Sequence, residues 1–108
     1  MTKTGVKTAG KLTRDRLYCK LTAITGRAVS EVRVTPALYG DGSVWCAMAI
    51  GCDLREIPLP SKSHEVAAVI RAAFPGANWA RAQDYDVTTG ALVEHIVRMP
   101  ACLGGEDQ

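Results

Sequence analysis

Apolar residues recur along this chain with two different periods, and the change of period divides it into elements. Between Thr13 and Gly26, the residues Leu17, Leu21 and Ile24 stand at i, i+4 and i+7, the spacing of one helical face. Thr13 is a suitable N-cap and Gly26 a suitable left-handed stop. Leu17, Cys19, Leu21 and Ala23 also alternate, so the segment has a strand reading as well. From Val29 to Leu38 the period shortens to two, with Ser30, Val32 and Val34 on one face and Glu31 and Arg33 on the other. Pro36 has no N–H for a ladder, which places it at an edge or a bulge. Gly40-Asp41-Gly42 is a turn signal. Val44 to Ile50 then returns with almost no polar residue, the pattern of a strand covered on both faces.

Leu54 to Pro60 is a connector, closed by a Pro58-Leu59-Pro60 triplet that no helix interior accepts. Val66, Val69, Ile70, Ala73 and Phe74 follow at helical spacing. This second helix is capped by Ser61 or Ser63 and ended by Pro75-Gly76. A run from about Trp79 to Val87, a turn at Thr88-Thr89-Gly90 and an alternating segment from Ala91 to Met99 make a second hairpin. The expected fold class is α+β: two layers in helix–hairpin–helix–hairpin order, with both helices on one face of a four-stranded antiparallel sheet.

With 108 residues, 47% apolar and 22% charged, the chain suits one domain with one core. We expect that domain at residues 13–103, after a flexible basic arm (1–12) and before a disordered tail (104–108). The first ten residues lack the apolar run of a signal peptide. The most apolar stretch, Val44 to Cys52, is far shorter than the roughly 20 residues of a membrane helix. The expectation is a cytoplasmic protein without membrane contact, whose Cys19, Cys46, Cys52 and Cys102 remain thiols.

Net charge is +2, which names no partner, but its distribution is uneven. Residues 1–33 carry eight basic and two acidic groups, for +6; residues 34–108 carry five basic and nine acidic groups, for −4. Such a molecule can present opposite potentials on two surfaces. Arg14, Arg16 and Lys20 supply a basic flank on the first helix. Asp84, Tyr85 and Asp86 supply an acidic cluster just before the last turn, with Glu94 and His95 on the return strand.

Chemical motifs are sparse. Cys46, Cys52, His64 and His95 do not have the paired spacing of a zinc site. Cys19 has basic neighbours, yet none of the common nucleophile or metalloprotease signatures occurs. Gly40-Asp41-Gly42 and Gly104-Gly105 do not lead into helices, so neither is a phosphate cradle. Closing the second hairpin brings Asp84 or Asp86 toward Glu94 and His95, an arrangement usable for acid–base work or as plain solvated charge. We expect no enzyme, cofactor or metal.

Two functions then compete. The first is a small non-catalytic protein-binding module, monomeric or homodimeric, that occupies a surface of a larger complex. Small inhibitors carried by phages and mobile elements, anti-CRISPR proteins among them, share this size and this lack of motifs. Its expected contact residues are Arg14, Arg16, Lys20, Trp45, Asp84, Tyr85 and Asp86, with Trp45 as an aromatic anchor. The second is a nucleic-acid-binding accessory protein that uses the basic arm and first helix.

Overall fold

A computed structural model describes residues 7–39 and 42–95. The elements are β1 (Lys7–Thr8), α1 (Lys11–Thr25), β2 (Val29–Tyr39), β3 (Gly42–Gly51), β4 (Glu56–Ile57), α2 (Ser63–Ala73), β5 (Gln83–Asp86) and β6 (Ala91–Glu94). The fold is α+β, with two helices and one antiparallel sheet. That sheet has six strands rather than the four expected, in the order β1-β6-β5-β2-β3-β4. The two additional strands, β1 and β4, are two residues long, too short to carry any alternation. Residues 1–6 of the arm, Gly40 and Asp41 of the first turn, Cys102, the second half of the segment ending at Met99 and the 104–108 tail lie outside the described residues.

The expected basic arm is partly built into the domain. Lys7 and Thr8 pair with Leu92 and Ala91, and Ala9 is buried, its N–H donating to the Gly90 carbonyl at 2.8 Å. Lys11 already opens α1, so the helix starts before Thr13. Gly10 occupies the N-cap with extended backbone and no side-chain cap. The helical reading of this segment prevails over the strand reading because Leu17 and Leu21 reach the core while Cys19 stays exposed. Gly26 closes the helix at φ 76°, its N–H on the Thr22 carbonyl at 2.8 Å.

β2 and β3 form a long hairpin in register from Val29↔Gly51 to Tyr39↔Gly42, with an irregularity between Val29 and Glu31. Ser30 sits at that bulge, its hydroxyl within reach of the Ile50 and Gly51 carbonyls. The bulge resets the alternation, so Val29 as well as Val32 and Val34 is buried. In the other hairpin, Asn78 delays the expected strand. Its side chain accepts the Ala80 N–H and its carbonyl accepts that of Arg81, a turn that postpones β5 to Gln83.

One face of the sheet carries Val32, Val34, Ala49, Tyr85 and Leu92, which join Leu17 and Leu21 of α1 and Val66, Ala67 and Ile70 of α2 in a single core. No described helix or strand covers the other face. Among the described residues, then, β3 is covered on one face only, where both were expected. Ala49 faces the core, whereas Cys46, Met48 and Ile50 alternate onto the open side and are half-buried.

The outer edge of β3 is closed by the start of α2. Ser63 does not cap its helix, whose N-cap residue, Lys62, has no side-chain cap bond. Its hydroxyl instead accepts the Ala47 N–H at 2.7 Å and donates to the Ala47 carbonyl at 3.1 Å. The His64 ring meets the Trp45 carbonyl at 2.9 Å. These contacts occupy strand groups that would otherwise invite another strand. They also explain Pro36. Ala47 points its polar groups away from β2, so its partner Val34 points away from β3, and Pro36 does the same two residues later. β5 begins opposite Val34, at Gln83, and does not reach Pro36, so the proline nitrogen costs no ladder bond.

Candidate functional site

The basic residues expected to act together on α1 have separate roles. Arg14 Nη1 donates to the Thr89 carbonyl at 3.3 Å, and its side chain lies against Gly90. It ties the helix to the β5–β6 turn. Arg16 and Lys20 are exposed, form no ion pair among the described residues, and line a shallow groove with Leu17, Val69 and Ala73 between the helices. Lys11 pairs with Asp15 at 3.1 Å, both well exposed, so that bridge adds only a few tenths of a kcal/mol, about the usual helix value.

The acidic cluster does not form one acidic surface. Tyr85 is fully buried, facing the core with its ring 5.6 Å from that of Phe74. Asp84 and Asp86 alternate onto the open face. Asp84 accepts a hydrogen bond from Arg33 Nε at 2.8 Å and lies 2.8 Å from His95 Nδ1. Since the carboxylate accepts, the imidazole donates from Nδ1. The chain Arg33–Asp84–His95 thus joins β2 and β5 to the residue that follows β6. Asp86 Oδ1 accepts the N–H groups of Thr88 and Thr89 and shapes the turn. Glu94 takes the opposite face from His95, as adjacent strand residues must, and pairs with Arg81 at 3.5 Å. The expected approach of Asp84 to His95 occurs; the approach to Glu94 does not. Among the described residues, no hydroxyl or thiol is hydrogen-bonded to His95.

Tyr85 is also a chemical oddity, because its hydroxyl is buried without a hydrogen-bond partner among the described residues. Burial pushes its pKa above 10.0; Arg14 opposes the shift and Asp86 adds to it. A pKa raised on folding means that the unfolded chain loses this proton first. The contribution is therefore intact below about pH 10 and is lost as pH rises through the folded-state value. Tyr85→Phe keeps the ring and removes the orphan hydroxyl. We expect stability at pH 7 to be unchanged or higher by up to about 1 kcal/mol. The variant is also expected to lack part of the alkaline loss seen in the wild type. Urea denaturation at pH 7 and near pH 10.5 checks both; a loss above about 1 kcal/mol at pH 7 would show that the hydroxyl has a partner.

Trp45 is half-buried on the helix-facing side of β3. Its Nε1 donates to the Trp79 carbonyl at 2.7 Å, and Trp79 Nε1 donates to the Phe74 carbonyl at 2.9 Å. Arg71 of α2 lies over the Trp45 ring, its guanidinium carbon 3.6 Å from the ring centroid, a cation–π contact of roughly 1 kcal/mol. Sequence reading singled out Trp45 but missed Arg71, because a helix-to-strand contact leaves no local pattern.

The open face of the sheet therefore has a defined composition. Arg33, Asp84 and His95 cross its middle, beside the apolar row Cys46, Met48 and Ile50 and the exposed Val93. At one end Glu31 and Asp86 are direct partners across the ladder, two like charges without an ion-pair partner among the described residues. Cys19 and Cys52 are exposed and Cys46 is half-buried, all as free thiols. Among the described residues, no three His, Cys, Asp or Glu side chains converge on one point, and no helix is long and apolar enough to cross a membrane. Comparison of the chain with models of known families, with curated proteins and with solved structures returned no match.

Proposed function

We propose that the protein is a non-catalytic protein-binding module that docks through the open face of its sheet. The observation that carries this reading is the row Cys46, Met48 and Ile50. A solvated antiparallel face ordinarily carries polar residues at these positions, whereas here the row is continuously apolar and uncovered by any described element. The partner is a protein surface presenting apolar side chains edged by Lys or Arg. Its cations would offset the repulsion between Glu31 and Asp86, since like charges directly opposed across a ladder are destabilising. The inhibitor role, in the manner of proteins from phages and mobile elements, is a further part of the proposal and rests on small size and the lack of motifs.

The test compares proteins that co-purify with tagged wild type, Met48→Asp, Glu31→Arg and an Arg16→Ala, Lys20→Ala double variant, all checked for an unchanged thermal midpoint. We expect one stoichiometric partner that is lost with Met48→Asp, weakened with Glu31→Arg and retained by the α1 double variant. Cross-links should map to apolar residues beside Lys or Arg on that partner. A partner indifferent to Met48→Asp overturns the reading.

The nucleic-acid reading retains a specific observation: Arg16 and Lys20 are exposed and form no ion pair among the described residues. It predicts a mobility shift of DNA or RNA that weakens steeply with salt and disappears in the double variant. The sheet-face reading predicts no shift even at low salt.

A further inference from the structure

On the helical side of the molecule, Arg71 presents a charge that no described residue pairs. Its guanidinium rests on the Trp45 ring. Its Nε is buried without a hydrogen-bond partner, and no acidic side chain pairs with it among the described residues. Arginine stems commonly lie along apolar surface while the charged head stays in water. Here the head itself is stacked. A partly desolvated guanidinium is costly unless an anion answers it.

The surroundings of Arg71 are concave on both sides. One groove is lined by Val44, Trp45, His64, Ala67 and Arg71, and a second, adjoining one by Ala68, Pro75, Trp79 and Arg71 with Ala72. The small side chains of Ala67 and Ala68 leave the Trp45 and Arg71 surfaces open between them. His64 lies two turns before Arg71 on the same helical face. Since the Trp45 carbonyl accepts, His64 donates from Nδ1, which leaves Nε2 as its remaining ring nitrogen. A planar fork of N–H donors beside an aromatic ring suits an oxyanion on an apolar body: two oxygens meet the fork while the body lies on the ring.

We propose that the Trp45–Arg71–His64 groove is a binding site for a small oxyanion, carboxylate or phosphate, carried on an apolar or aromatic body. The oxyanion takes the Nη N–H groups of Arg71, which have no hydrogen-bond partner among the described residues, and the body lies against Trp45, Val44 and Ala67. This site is separate from the open sheet face and stands or falls independently of the docking reading.

Trp45 and Trp79 are the two tryptophans of the chain, and both line these grooves, so intrinsic fluorescence reports on the site directly. The full chain is titrated with phenyl phosphate, phenylacetate, inorganic phosphate and neutral benzyl alcohol. We expect a saturable change with phenyl phosphate or phenylacetate, and the stronger of the two identifies the oxyanion. Benzyl alcohol and inorganic phosphate should each bind at least about tenfold more weakly. Arg71→Leu should abolish the response. Arg71→Lys keeps the charge but loses the fork, and should weaken binding by about tenfold or more; Met48→Asp should leave it unchanged. No saturable change with either aromatic oxyanion overturns the proposal, as does an undiminished response in Arg71→Leu. If Arg71→Leu fails to fold, as read by circular dichroism, a response of wild-type strength in Arg71→Lys overturns it instead.

Discussion

Replacing Leu21 by alanine is expected to lower the unfolding free energy by about 3 kcal/mol, within the range of roughly 2–5 kcal/mol for fully buried leucines. Leu21 is 0% exposed, but its weight comes from how little else holds α1. The helix has no side-chain N-cap, no acidic residue in its first turn and no basic residue in its last. Its only fully buried side chains are Leu17 and Leu21, with Ile24 packed partly against the core. A helix of this length is marginal in water without tertiary packing, so truncating one of two anchors should loosen the whole element. Urea denaturation measures the loss, and hydrogen exchange locates it: amides of α1 should lose protection before those of β2 and β5. A cost below about 1 kcal/mol would mean that the Leu17–Leu21 stripe is not what docks the helix.

Gly90→Ala is the second large effect, at about 2–3 kcal/mol, and it has an internal control. Gly90 sits at φ 80°, where a side chain costs about 1–2 kcal/mol. A Cβ there would also lie 2.7 Å from Arg14 Cδ and 3.1 Å from the Ala9 carbonyl oxygen. Arg14 can swing aside only by giving up its bond to Thr89, and the Ala9 backbone is held by β1. Gly26 has nearly the same backbone, φ 76°, but an added Cβ would meet nothing within 4 Å. Gly26→Ala should therefore show the conformational cost alone, and the difference between the two thermal or urea midpoints isolates the crowding at the turn. Equal losses would show that Arg14 and β1 yield freely.

The elements that announced themselves in the sequence are those with several turns or several alternations. Both helices and the β2–β3 pair belong to this class, because repeated apolar spacing marks a buried face whatever lies beneath it. β1 and β4 could not announce themselves, since two residues have no period; they exist because neighbouring strands offer unpaired backbone. Ser63 was legible as a cap by composition, but the nearby edge of β3 competed for its hydroxyl and won. Tyr85 read as part of an acidic surface because it lies between two aspartates. Strand alternation sends it inward while Asp84 and Asp86 go outward. Periodicity can say that β3 has two apolar faces, but not that only one of them is covered. The ring-on-guanidinium contact of Trp45 and Arg71 depends on how α2 crosses β3, a property of packing rather than of spacing.

The pairing of β1 with β6 carries a kinetic consequence. The β2–β3 hairpin joins residues near in sequence and can form early, whereas Lys7 and Thr8 must find Leu92 and Ala91 at the far end of the described chain. Closure over so long a loop is entropically slow and is rewarded only once β5 and β6 are in place. The N-terminal strand should thus be the last piece to dock during refolding and the first to open in the native state. Because Ala9 and Arg14 both contact the β5–β6 turn, its departure would loosen the start of α1 as well. The Ala9 amide, bonded to Gly90, is then a reporter of the lowest-energy opening of the sheet.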